Sequence, residues 1–471
     1  MLDQSFSYEN LKEIYDTEKR KGYSLDEKFA LKDEITISNT AIKDIYKEIK
    51  KINFEFRKPL TEKEKEVLNI EKAKYEINLK HAKEIKNNLL KKEIEKICDE
   101  INSPTFSISV TKEKNFLEPS KPFYSIEDTL RGFLFKKHIQ GVLNRLYKIK
   151  QSNRYLVVNQ ISEILTNNKT SLFNIIKLDI KKFYETIDLK SLQDKLIRDD
   201  NLLSPKIKNH ITEILSQYKN LSSSDTGLPR GIGLSAYLGE LYMRDFDAKI
   251  KKDKSIFFYA RYVDDIIIIT SNNYLLNLDL IINELGILGL ELNTSKDFNL
   301  RDSSCVVNTF DYLGYSFTFV DKGTKNEALD IDISEKRLIR YKEKIDIAFD
   351  SYIKTSSYGR KANKNLYLRI KFLVSNIRLT GSKNNIVSGI YYSNKLLLEV
   401  SPKIKILDKY LKSKLKLLSS KALQNKLKQF SFSKGFDRKD KNFFFLKKNE
   451  VGKNKESKQL ENLLKIWKYV K

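Results

Sequence analysis

Residues 257–270 read FFYARYVDDIIIIT, an apolar run of Phe, Tyr, Val and Ile interrupted by two adjacent carboxylates, Asp264 and Asp265. An ionised Asp buried without a partner in such a run costs several kcal/mol, so the pair requires a turn, a cation or a shifted pKa. The run splits naturally into two strands, SIFFYARYV and DIIIIT, folded as a hairpin at the acids. A third acid, Asp179, closes the strand-like FNIIKLDI. If those strands are neighbours in one antiparallel sheet, Asp179 comes beside the hairpin turn. Three such carboxylates suit two-metal phosphoryl transfer, in which two divalent ions about 4 Å apart brace the attacking and leaving oxygens. Magnesium takes hard oxygen ligands of this kind and completes its octahedron with substrate phosphates.

A Tyr-x-Asp-Asp alone is weak evidence in a chain with 25 Tyr. Its company is informative. In order, the chain shows LDIKKFYETID, GLPRGIGLSAYLGE, YVDD, LGLELNTSK and FDYLGY. Over roughly residues 130–320 these segments resemble motifs A to E of the reverse transcriptases. The resemblance implies an α+β right-hand polymerase with helical fingers, an antiparallel-sheet palm of the RRM-like type and an all-helical basic thumb. It implies an RNA-directed DNA polymerase using two Mg²⁺ ions, with Mn²⁺ as a substitute. Carried over by position, Asp179 and Asp264 are ligands of both ions, Asp265 is the supporting carboxylate, and the Ile180 carbonyl is a main-chain ligand. Tyr184 matches the bulky gate that collides with a ribose 2′-hydroxyl and so favours deoxynucleotides, although Phe183 competes for that place until the register is known. Lys296 matches a lysine that approaches the pyrophosphate as a general acid, against the plain alternative of a solvated loop lysine. FDYLGY resembles the hairpin that grips the primer end.

Arg230 departs from the family pattern. Pro229, Arg230 and Gly231 stand where Pro-Gln-Gly is usual, and Ser235 and Ala236 where Ser-Pro is usual. A guanidinium here binds phosphate bidentately or pairs with an acid as a structural contact. The form LPRGIGLSAYLGELYMRDFD looks most like the bacterial defence-associated and abortive-infection reverse transcriptases. That branch implies a non-coding RNA partner, untemplated synthesis or priming from a protein hydroxyl, and assembly with itself or a second reverse transcriptase subunit. Arg154, in NRYLVVNQI, lies where a basic triphosphate contact is frequent, with Arg131, Lys136 and Arg145 as competitors. His81, His138 and His210 lack ligand spacing, and Trp467, near the end of an amphipathic LLKIWKYV, reads as a packing anchor.

These residues need elements to hold them. Residues 1–130 read as helical, with capping-box patterns at Ser24/Glu27 and Thr61/Glu64. Pro104, Pro119 and Pro122 then mark a loop or short hairpin. Residues 131–330, which the resemblance makes the fingers and palm core, read as helix to about Leu165, the strand ending at Asp179, a loop NLSSSDTGLPRGIG, the helix LSAYLGELYMRDFDAKI, the acid-bearing hairpin, a helix NYLLNLDLIINELGILG, and the strand FDYLGYSFTFV. From about 331 the pattern is helical and Lys-rich to 471, with a Gly-containing loop at SKGFDRKDK.

The formal net charge is +26. It is concentrated in residues 331–471, where 35 Lys and Arg against 12 Asp and Glu give +23 and leave +3 for residues 1–330. Residues 131–160 hold seven cations and no acid. Such fields favour a polyanion, RNA or DNA, with steep salt dependence, unless Lys enrichment reflects genome composition alone. Cys98 and Cys305 have no C-x-x-C spacing and read as reduced core residues. The N-terminus lacks signal-peptide order and no apolar stretch spans a bilayer, so a bacterial cytoplasmic location is expected. Two other readings compete with the polymerase: a catalytically silent RNA-binding module of the same fold, and a two-metal nuclease, which leaves the gate tyrosine and primer hairpin without a purpose.

Overall fold

The computed structural model describes residues 2–467 except 22–24, 30, 32, 60, 115–121, 150–152, 168–172, 199–201, 272–277, 294–297, 301–308, 321–327, 381–386, 438–442 and 448–463. Lys296, Cys305 and the Ser24 cap lie outside the described residues. The chain mixes helix and sheet and divides into two compact units. The first is residues 1–149 with 192–238, and the second is residues 150–191 with 239–471. This division cuts across the linear segments 1–130, 131–330 and 331–471.

The chain opens with α1 (Tyr8–Arg20), α2 (Leu25–Lys28), α3 (Asp33–Glu55), α4 (Glu62–Asn102), the strands β1 (Val110–Glu113) and β2 (Phe123–Ile126), and α5 (Leu130–Tyr147). The 41-residue α4 begins with the expected capping box, Thr61 and Glu64 each bonding the other's backbone. Such reciprocal capping satisfies donors that a helix start otherwise leaves open. α3 and α4 are joined through a buried polar group. Lys86 Nζ donates to Asp26 Oδ2 at 2.6 Å, Asn39 donates to the same oxygen at 3.1 Å, and Tyr15 donates to Oδ1. An aromatic cluster of Phe6, Phe106 and Phe135 encloses His138 and His210.

The single helix expected from 131 to Leu165 is instead two, because α5 ends at Lys148 in the left-handed conformation (φ +51°). The next helix, α6 (Arg154–Asn167), belongs to the second unit, as do β3 (Phe173–Asp179) and α7 (Phe183–Thr186). The unit boundaries fall within α8 (Leu189–Arg198) and α10 (Leu234–Ile250), with α9 (Pro205–Ser222) in the first unit. Then follow β4 (Ile256–Tyr262), β5 (Asp265–Ser271), α11 (Leu278–Ile287), β6 (Phe298–Leu300), β7 (Thr309–Tyr312), β8 (Tyr315–Val320) and β9 (Ala328–Ile333). FDYLGYSFTFV is thus a hairpin rather than one strand.

The central sheet has the order β4-β5-β3-β6, every neighbour antiparallel. Strands and helices alternate as βαββαβ, with the first and third of its strands in the middle. Ile266, Ile267, Ile268 and Ile269 of β5 are all fully buried, which explains why this strand reads as a continuous apolar run: both faces are covered. Ile175, Ile267 and Ile269 on one face share a core with Val157, Val158 and Ile161 of α6 and with Phe310, Tyr312 and Phe317 of the β7–β8 hairpin.

The C-terminal stretch holds α12 (Glu335–Lys354), α13 (Arg360–Val374), β10 (Asn376–Thr380), β11 (Val387–Gly389), α14 (Pro402–Lys416), α15 (Lys421–Leu427), α16 (Phe432–Asp437) and β12 (Phe443–Lys447). It is not all-helical: β11-β10-β12 form a three-stranded sheet. The parallel β10–β12 pairing joins segments separated by three helices, a long-range match that local periodicity does not carry. The expected loop at SKGFDRKDK is helical through Asp437, since Asp408 accepts from Phe432 N, Ser433 N and the Ser431 hydroxyl and so caps α16. Gly435 is needed there because a Cβ would strike the Val374 carbonyl. Trp467 is buried and donates Nε1 to Lys344 O at 2.8 Å, a packing anchor.

Candidate active site

Asp179 is the last residue of β3 and is the direct cross-strand partner of Asp265, the first residue of β5. Directly opposed residues have Cβ atoms on the order of 5 Å apart. Asp264 stands in the two-residue turn between β4 and β5, and its carbonyl accepts from Ile180 N at 3.0 Å. The two acids facing each other continue the core row Ile175, Ile267 and Ile269 on the same sheet face, at the end where a cavity opens. Asn293, which sequence reasoning did not single out, donates Nδ2 to Asp179 Oδ1 at 3.0 Å and its backbone N to Asp179 O at 2.7 Å. It orients a carboxylate that is 6% exposed.

The turn is strained. Val263 has φ +61°, a conformation a β-branched side chain disfavours, at a cost of roughly 1–3 kcal/mol. Arg261 holds it, donating Nη1 to Val263 O at 2.9 Å. The same guanidinium is buried and bonds Glu240 Oε2 at 2.7 Å, Asp247 Oδ1 at 2.9 Å and Asp247 Oδ2 at 2.7 Å, both acids on α10. Burial works against its charge, but the bonds and charge of Asp247 and Glu240 outweigh that and raise its pKa. The signal in the sequence was an Arg inside an apolar strand together with two acids seven residues apart, hence on one helix face.

The β7–β8 hairpin repeats the device. Its turn residues Leu313 and Gly314 have φ +45° and +77°, and Arg154 donates from Nε to Leu313 O at 2.7 Å, with Nη2 bonding the same oxygen. Beneath it, the Tyr312 hydroxyl donates to Asp265 O at 3.3 Å, and burial, reinforced by the Asp265 charge, pushes that phenol's pKa up. Arg154 and Arg337 lie 5.7 and 5.2 Å from the Tyr315 ring centroid. Burial, then the charge of Arg337, holds the Arg154 guanidinium below its usual range.

One cavity of about 590 Å³ joins these parts. Asp179, Asp264, Asp265 and Asp311 line it, together with Arg154, Lys177, Lys336, Arg337 and Arg340. A cavity lined by both acids and cations suits a phosphate-bearing substrate that brings its own metal ions. Among the described residues no group of three or more His, Cys, Asp or Glu is placed so that it could hold a metal ion by itself. Magnesium needs none, because substrate phosphates and water complete its shell. Opposed carboxylates at a strand end, with like charges unfavourable in such a pair, fit ions of this type.

Phe183 and Tyr184 are separated by packing. Phe183 is 3% exposed while Tyr184 is half-buried, their rings 5.2 Å apart. Gly239, inside α10, allows both rings close, since a Cβ there would lie 3.3 Å from each. Tyr184 is not among the residues lining the carboxylate cavity. Arg230 belongs to the first unit, where its carbonyl accepts from Tyr124 N at 2.6 Å. Gly231 (φ +98°) follows because a Cβ would lie 2.6 Å from Tyr124 O. Arg131 is engaged by Glu127 and Glu100.

Residues 125–317, under half of the chain, match the family model described as Reverse transcriptase (RNA-dependent DNA polymerase). A search of curated proteins finds no match. Among solved structures, apo telomerase from Candida tropicalis is 15% identical with a TM-score of 0.34, covering 70% of this chain and 54% of that one. Telomerase from Candida albicans in complex with the TWJ fragment of telomeric RNA is 14% identical with a TM-score of 0.34, covering 73% and 67%. The chain spans about half the length of the first of these structural matches, including a C-terminally truncated C. tropicalis telomerase at 44%. Likenesses this remote carry no argument about function. The stretch holding Asp179, Asp264 and Asp265 is thus similar to the reverse transcriptase family, and that match is what bears on its chemistry.

Proposed function

We propose that the protein is a magnesium-dependent RNA-directed DNA polymerase that adds deoxynucleotides to a growing strand. One observation carries the reading: the aspartates at 179, 264 and 265 line a single cavity that is also lined by five cationic side chains, and Asp179 directly faces Asp265 across the sheet. Asp179, Asp264 and Asp265 would hold the ions, with the Ile180 carbonyl as a further ligand, and bound magnesium would neutralise charge on the transferring phosphoryl group. Asn293 fixes the Asp179 carboxylate, Lys336 and Arg337 offer donors to phosphate oxygens, and Tyr312 braces the backbone of Asp265. Tyr184, rather than the buried Phe183, is the sugar gate. Arg154 serves mainly by pinning the Leu313 turn that would carry the primer end. Lys296 as acid for the departing pyrophosphate and Arg230 as a phosphate contact complete the set.

On the resemblance of LPRGIGLSAYLGELYMRDFD we further place the activity in bacterial antiviral defence, in the cytoplasm, with a non-coding RNA, untemplated synthesis or protein priming, and with self-assembly or a second subunit. No described helix is long and apolar enough to cross a membrane. The basic C-terminal stretch supports a nucleic-acid partner. The test is incubation of purified protein with each labelled deoxynucleotide and Mg²⁺ or Mn²⁺, alone and with co-purifying RNA, beside Asp264→Asn. Product from the parent protein and none from the variant is expected. No product under any condition overturns the proposal in favour of the silent RNA-binding module, and sequencing the bound nucleic acid identifies a template.

A further inference from the structure

We propose that a second cavity, between α13 and the α15 region, binds an unpaired nucleotide of single-stranded nucleic acid. The cavity measures about 680 Å³, within the range of roughly 300–1,000 Å³ of small-molecule sites. It shares no lining residue with the carboxylate cavity. Arg360, Asn363, Lys364 and Tyr367 line it from α13 at i, i+3, i+4 and i+7, one helix face. Lys426 and Gln429 line it from the other side.

Three features select the ligand. First, none of the lining residues is acidic while three are cationic. The surrounding chain has no carboxylate between Asp350 and Glu399, nor between Asp408 and Asp437. An anion therefore enters without like-charge repulsion from these segments. Second, Tyr367 presents a half-buried ring, held 5.1 Å from Phe430 and tilted 58° to it, a pre-positioned aromatic for a base to stack on. Third, Asn363 and Gln429 place side-chain amides, which both donate and accept, beside that ring. Phosphate binding alone has no use for the aromatic or the amide acceptors. A duplex keeps its bases stacked and paired, so it cannot put one into a concave pocket; an unpaired nucleotide can. The reading is independent of the polymerase proposal, because a pocket for strand capture works whether or not the aspartates catalyse.

The test is fluorescence anisotropy of the full-length protein with labelled oligothymidine, oligouridine, an abasic strand of equal length and a blunt duplex, across a salt series. The parent protein should prefer the base-bearing strands over the abasic strand by on the order of tenfold. Tyr367→Ala should abolish that preference while leaving abasic affinity in place, and Tyr367→Phe should keep it. Lys364→Gln with Lys426→Gln, both at exposed positions, should lower the salt slope for single strands by about 1.4 and spare the slope for duplex. The tighter of the two base-bearing strands assigns the pocket to DNA or to RNA. Persistence of the base preference in Tyr367→Ala overturns the proposal, as does an equal loss of duplex and single-strand binding in the double variant. The base preference should persist in Asp264→Asn, which separates this result from the polymerase test.

Discussion

Arg261 donates to the carbonyl of Val263 at 2.9 Å, and Val263 is the residue whose left-handed backbone turns the chain so that Asp264 and Asp265 sit at one strand end. A guanidinium tied on its far side to two α10 carboxylates thereby sets the local geometry of the candidate metal ligands. Removing it leaves Glu240 and Asp247 as half-buried charges without their cation. Arg261→Met should lower stability by about 3–5 kcal/mol, and Arg261→Met with Asp247→Asn by less. Chemical denaturation of the three proteins measures the difference.

The strain at Val263 makes an opposite prediction. Asn tolerates a positive φ that Val does not, and the Val263 side chain is only half-buried. Val263→Asn should raise stability by roughly 1 kcal/mol. A fall in the unfolding midpoint would show that the turn stores no strain.

Asp179 and Asp265 are direct cross-strand partners of like charge, which bound Mg²⁺ would offset. Mg²⁺ titration should raise the melting temperature of the parent protein. Asp264→Asn and Asp265→Asn should respond much less and lose nucleotide incorporation by roughly a hundredfold or more. Scanning calorimetry at several Mg²⁺ concentrations checks the first part without relying on activity.

Packing leaves Tyr184 as the less buried member of the FY pair. Tyr184→Ala should raise incorporation of ribonucleotides relative to deoxynucleotides, whereas Phe183→Leu should cost stability and leave the ratio alone. Steady-state incorporation with matched ribo- and deoxynucleotides measures it.

Burial holds both His138 and His210 below their ordinary value of 6.5. Their folded forms disfavour protonation while the unfolded chain takes up protons near 6.5. The linked stability is therefore present above about pH 6.5 and lost as pH falls below it toward the folded values. His138 Nε2 bonds Gln4 O at 3.0 Å inside the Phe6 cluster, and Glu213 pulls His210 the other way. Melting temperature measured from pH 7.5 to 5 should fall, and His138→Gln should flatten the slope. His81, which is exposed, serves as the control.

Much of the site was readable in one dimension. Period and composition located β3, β4, β5 and α10 nearly to the residue, because a buried isoleucine run and a two-residue acidic turn are local signals. The capping box at Thr61 and the packing role of Trp467 were local in the same sense. The helical α16 and the β11-β10-β12 sheet were not, since each depends on a partner far along the chain: Asp408 for α16 and Phe443–Lys447 for β10.

By itself, the order of residues determined which acids could collect at a strand end, where the positive charge lies and what family the central stretch is similar to, since these follow from residue identity and spacing. Only tertiary structure decided that Asn293 would steady Asp179. The same holds for Arg261 and Arg154 as supports of the two positive-φ turns, and for Phe183, not Tyr184, as the ring that is buried. The physical reason is that a hydrogen-bond donor or a buried face is defined by what stands opposite it: the partner of Asp179 lies 114 residues away, that of Arg154 lies 159 away, and the α10 acids that hold Arg261 lie 14 and 21 away.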